Sequence, residues 1–135
     1  MGELKMRSVE DKLAFKRRLE NRTSDFAVAV FRMLDALPLA VSSKVIAFQL
    51  GKSASSVGAN YREANRAESP DDFNHKIGIV LKECAESLYW LEMLQRLYAE
   101  DCVSQDLLKE CDELVRIFQT IRRRIHDKRK ASNEL

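Results

Sequence analysis

Proline and glycine are scarce in this chain of 135 residues, at two and four. That removes most of the turns a sandwich or barrel needs, and with 33% of the residues charged it fits helices joined by few connections. Long apolar runs are missing as well. The longest near-continuous one, residues 26–37, is broken by Arg32 and Asp35 and falls short of the roughly 20 residues of a membrane span, so no membrane partner is expected. The start, M-G-E-L-K-M-R-S, lacks the apolar centre of a signal peptide, which points to the cytoplasm. Cys84, Cys102 and Cys111 are odd in number and form no C-x-x-C pair, so reduced thiols are the simpler expectation.

Reactive constellations are equally thin. Gly51-Lys52-Ser53 resembles the end of a phosphate-binding loop, but the glycine that loop needs five residues earlier is replaced by Ile46. Asp72 and His75 have the step of a metal-binding helix, yet a di-metal bundle needs a second such pair, and Arg123 stands three residues before His126. Cys84 and Cys111 fall on apolar stripes, where a thiol is a small hydrophobe. Glu110, Asp112 and Glu113 read as one solvated helix face. No cofactor, metal or enzymatic activity is expected.

What is present is helical periodicity. Residues 1–22 carry a weak stripe, Met6, Val9 and Leu13, among many charges, and read as a basic arm or peripheral helix. Thr23, Ser24 and Asp25 offer capping oxygens for a helix that Pro38 closes, predicting a first bundle helix over 25–37. Its apolar residues, Phe31 among them, surround the axis and must be covered on most sides. A second helix is expected from Ser42 or Ser43 to about Ala67, with small residues at 53–59 allowing close approach. If Asn60 and Glu63 are buried there, Glu83 and Ser87 are candidate partners. Ser69-Pro70-Asp71-Asp72 opens a third, as cap, first-turn proline and dipole-facing acids. Its stripe runs from Phe73 through Ile77, Cys84 and Leu91, and a second apolar face on Trp90, Leu94 and Leu97 predicts a subunit interface. After a connection at 101–103, Ser104 caps a fourth helix whose seam, Leu107 to Ile125, alternates steps of four and three. The expected fold is an all-α, up-down-up-down four-helix bundle over 23–127, preceded by the 1–22 arm and followed by a frayed basic tail at 128–135.

Charge is unevenly spread. Residues 1–22 hold 7 Lys/Arg against 4 Asp/Glu, 23–115 hold 9 against 15, and 116–135 hold 7 against 2. Two basic ends on an acidic body suggest a polyanion partner, and solvated terminal helices produce the same pattern. The candidate phosphate contacts are Lys16, Arg17 and Arg18, with Arg122, Arg123, Arg124, Lys128, Arg129 and Lys130. Aromatic residues are sparse around them, so base stacking is not suggested.

Three blocks resemble a known family. Gln49 to Ala64 reads Q-L-G-K-S-A-S-S-V-G-A-N-Y-R-E-A, Ser69 to Ile77 reads S-P-D-D-F-N-H-K-I, and Glu86 to Leu94 reads E-S-L-Y-W-L-E-M-L. They are similar to the bacterial four-helix bundle proteins of 23S rRNA intervening sequences, also called the S23 ribosomal protein family. The likeness covers roughly 20–120. It implies a ring-like homopentamer, and its relatives include the accessory protein of diversity-generating retroelements, which binds nucleic acid through basic surfaces and associates with a reverse transcriptase. No catalytic residues carry over. The sequence therefore points to a non-enzymatic oligomer that binds RNA or DNA through its basic ends. A protein-interaction adaptor that docks a partner on the apolar surfaces of helices one and three is the rival reading.

Overall fold

The computed structural model describes residues 2–98 and 102–134 as four α-helices: α1 Gly2–Asp35, α2 Val41–Ala64, α3 Pro70–Leu97 and α4 Gln105–Glu134. Asp101, placed by the sequence in the third connection, and the Met6 side chain lie outside this description. Each helix packs on its chain neighbour, and α1 closes the bundle against α4, giving the expected up-down-up-down order.

The first helix differs most from expectation. Residue 22 is no boundary: α1 runs unbroken for 34 residues. Thr23 and Ser24 do not cap it, because mid-helix amides are already bonded and offer nothing to cap. Their hydroxyls instead donate back to the Glu20 carbonyl, at 2.9 and 3.1 Å. Leu19, Thr23, Phe26 and Val30, at steps of four and three, form the buried stripe of α1. The helix ends just before Pro38, as its missing amide proton requires.

The other starts follow local chemistry. Ser43 anchors the first turn of α2, its hydroxyl accepting the Ala40 amide at 2.9 Å. Ser69 accepts the Asp72 amide at 3.0 Å, with Pro70 leading α3. Ser104 accepts the Leu107 amide at 3.1 Å ahead of α4. The expected frayed tail is helical to Glu134. Asn60 does not reach Glu83 or Ser87; its amide donates to the Ser56 carbonyl one turn back, at 2.8 Å.

The core is built on Val30, Leu50, Val57, Ile77, Leu91 and Phe118, all fully covered. Small residues let the helices close in. A Cβ on Gly58 would meet Thr23 Oγ1 at 3.0 Å, so α1 and α2 touch nearly backbone to backbone there. Leu94 is also fully buried in this core, which corrects its assignment to a subunit interface: its face of α3 turns inward.

Candidate nucleic-acid interface

The antiparallel pairing of α1 and α4 is pinned by Arg22, whose Nε donates to Glu110 at 2.9 Å and whose guanidinium also pairs with Glu113 at 2.9 Å. The Glu110 hydrogen bonds hold the arginine pKa above its ordinary value, with burial opposing and Glu113 assisting. This register carries the basic start of α1 alongside the basic end of α4.

Helix α2 stops short of that end. Its C-terminal Asn65 donates from Nδ2 to the Glu20 carboxylate at 3.2 Å, so α1 continues from about Leu19 to Gly2 with no α2 beside it. At 1.5 Å per residue that overhang is about 25 Å. The space α2 leaves is a cleft of about 620 Å³ between α1, the end of α2, the start of α3 and α4. Phe15, Tyr61, Phe73 and Ile121 make it apolar. Lys12, Lys16 and Arg124 stand around it, with Asp11 as the opposing charge. The Tyr61 ring is fixed edge-on to Phe118, with ring centres 5.4 Å apart. Burial pushes its phenol above the ordinary pKa, the Asn65 amide acts against this, and Glu20 adds to it.

The predicted basic residues are thus only partly gathered. Lys16 and Arg124 share the cleft. Successive helix positions differ by about 100°, so Arg122, Arg123 and Arg124 fan out instead of forming one patch. Arg122 turns to α3, beside Gly78, and lines a second depression of about 550 Å³ with His75, Lys82 and Arg129. Arg129 is paired with Asp71 at the start of α3, and Lys128 flanks the same spot. Arg17, Arg18, Arg123 and Lys130 are exposed. Sequence reasoning missed Lys12, Phe15, Tyr61, Asn65 and Phe73. Only Phe15, adjacent to Lys16, offered a local signal.

A separate apolar surface lies on α1 and α2. Val28, Phe31, Val41, Val45 and Phe48 are exposed, the last at 68%. On α3, Tyr89 and Leu97 are exposed, whereas Trp90 is half-buried against the core with Nε1 3.5 Å from Glu86. Cys84 and Cys111 are buried together, and the neighbouring thiol and burial push Cys111 far above its ordinary pKa. Among the described residues, no group of three or more His, Cys, Asp or Glu side chains could hold a metal ion. Nor, among those residues, is any helix long and apolar enough to cross a membrane.

The fold has a solved counterpart. A protein of unknown function from the S23 ribosomal protein family of Bacteroides thetaiotaomicron is 30% identical, with a TM-score of 0.68, over 80% of this chain and 97% of that one. No curated protein matches. The sequence profile of 23S rRNA-intervening sequence proteins matches residues 17–120, which include Tyr61, Asn65 and Phe73 but not Lys12, Phe15, Lys16, Ile121 or Arg124. With most of its length matched, the chain belongs to the 23S rRNA-intervening sequence protein family.

Proposed function

We propose that this protein is a non-enzymatic, cytoplasmic homo-oligomer that binds RNA or other nucleic acid through basic residues at one end of its bundle. The observation that carries the reading is the α1–α4 pairing, which sets Lys12 and Lys16 from one terminus beside Arg124 from the other. Cations from distant sequence positions around one concavity make a field that attracts phosphates. Assembly multiplies the effect, because several modest clusters on one particle bind with avidity. The exposed apolar face of Val28, Phe31, Val41, Val45 and Phe48 supports such assembly, and family resemblance suggests five subunits.

The test is binding of labelled structured RNA and duplex DNA at several salt concentrations, comparing the wild type with Lys16→Glu/Arg124→Glu. Affinity should fall log-linearly with salt, and the variant should bind more weakly with a shallower slope. No binding by an intact oligomer would defeat this reading. The same face, on α1 and α2 and not on the first and third helices as the sequence had it, favours the adaptor reading if the protein proves monomeric, since a different partner would then have to cover it.

A further inference from the structure

We propose that the α1–α4 end cleft takes one unpaired base of a single-stranded or looped nucleic acid, with its ring against Phe15 and its flanking phosphates on Lys12, Lys16 and Arg124. This rests on the nucleic-acid reading above and narrows it to strands whose bases are free. The volume, about 620 Å³, falls within the few hundred to one thousand Å³ usual for small-ligand sites. An apolar interior with a basic rim suits an amphipathic anion, and a nucleotide is one.

Two features favour a base over other amphipathic anions. Phe15 is 45% exposed in a cleft flanked by lysines, so part of its ring is uncovered, and base–aromatic stacking tolerates any sequence. Asn65 lines the same cleft, and its Oδ1 is buried without a hydrogen-bond partner. The orientation of that amide is fixed by Glu20, which as a carboxylate only accepts and therefore faces Nδ2. A buried acceptor left unpaired is costly and calls for a donor. Base amino and imino groups supply an N–H; a fatty acid carboxylate and a phosphate diester do not. In a duplex those donors are paired and the ring faces stacked, so the cleft discriminates against it.

The experiment compares an unstructured fluorescent oligonucleotide with the same sequence in duplex form, using full-length wild type, Phe15→Ala, Asn65→Ala and Lys16→Gln. Circular dichroism checks that each variant remains helical; Phe15 and Lys16 are exposed enough for their truncation to leave the bundle intact. Phe15→Ala should weaken single-strand binding about tenfold with an unchanged salt slope, because stacking is lost and no phosphate contact is. Lys16→Gln should lower the slope, and Asn65→Ala should weaken single strands more than duplex. Equal affinity for both forms, with Phe15→Ala like wild type, would overturn the base site while leaving surface phosphate binding in place. Failure to bind either form would remove the underlying reading together with the site. An acyl chain found in the cleft by native mass spectrometry and not displaced by oligonucleotide would assign it to a lipid and overturn the proposal.

Discussion

Ser53 of α2 and Ser87 of α3 face each other in the buried seam with their hydroxyl oxygens 2.9 Å apart. Each also lies within reach of a carbonyl of its own helix, Leu50 at 3.2 Å and Glu83 at 2.9 Å, so one proton bridges the helices and the other is absorbed locally. The pair satisfies two polar groups where water is excluded, and hydroxyls this small let α2 and α3 approach closely.

Removing one member should cost more than its share. Ser87→Ala is expected to destabilise by about 1 kcal/mol, because Ser53 loses its cross-helix donor while remaining buried and keeps only the Leu50 carbonyl of its own helix. Ser53→Ala/Ser87→Ala should cost less than the sum of the single changes. Ser87→Val should be worse than Ser87→Ala, since the closely packed seam has no room for a branched side chain. Urea unfolding at fixed protein concentration measures all three; additive single changes would refute the coupling.

Two glycines of α2 should respond in opposite ways to alanine. Helix propensity favours the substitution by about 1 kcal/mol at each. At Gly51 the nearest obstacle to a Cβ is the exposed Phe31 ring at 3.1 Å, which can swing aside, so Gly51→Ala should be neutral or stabilising. At Gly58 the obstacle is Thr23, fully buried and tied to its own helix, with Oγ1 at 3.0 Å. Gly58→Ala should therefore force α1 and α2 apart and lower the unfolding midpoint. A Gly58→Ala protein more stable than wild type would contradict this packing.

Two carboxylates on α3 should give opposite pH signatures. The Lys76 hydrogen bond and the Glu68 amide hold Asp72 below the ordinary carboxylate range. Its contribution is present above the unfolded value and lost as pH falls through the folded one, so Asp72→Asn should destabilise at neutral pH but not in strong acid. Burial first and Glu86 second raise Glu83, with Lys82 and Lys52 opposing. Its ionisation therefore opposes folding above the ordinary glutamate range, and Glu83→Gln should stabilise at neutral pH with the gain vanishing on acidification. Melting temperature against pH distinguishes the two; parallel curves would show that neither environment differs from the unfolded chain.

Assembly through the outer face of α1 and α2 predicts that Val45→Asp/Phe48→Asp lowers the particle mass by light scattering while helical content holds, both residues being exposed in the subunit. Leu94→Ala should act differently. That side chain is fully buried, and its loss leaves a cavity worth about 2–5 kcal/mol, seen as a lower unfolding midpoint. A mass unaffected by the aspartates would exclude this face from subunit contact.

Local chemistry in the sequence was enough to set the caps at Ser69 and Ser104, the stop before Pro38 and the α4 seam, because each depends on residues within a turn or two of one another. The family blocks were legible for the same reason. Whether α1 breaks at Thr23 was not, since the hydroxyls that could cap a helix there can equally bond back within one, and packing of Leu19 and Phe26 decided it. Only the tertiary structure could turn Leu94 inward and leave Tyr89 outside, or aim Arg122 at α3 and Arg124 at the cleft, because these depend on how each helix is rotated against its neighbours. The end cleft lies furthest from sequence reasoning: it exists because α1 outruns α2, and it joins Phe15, Asn65 and Arg124 from positions that no local pattern connects.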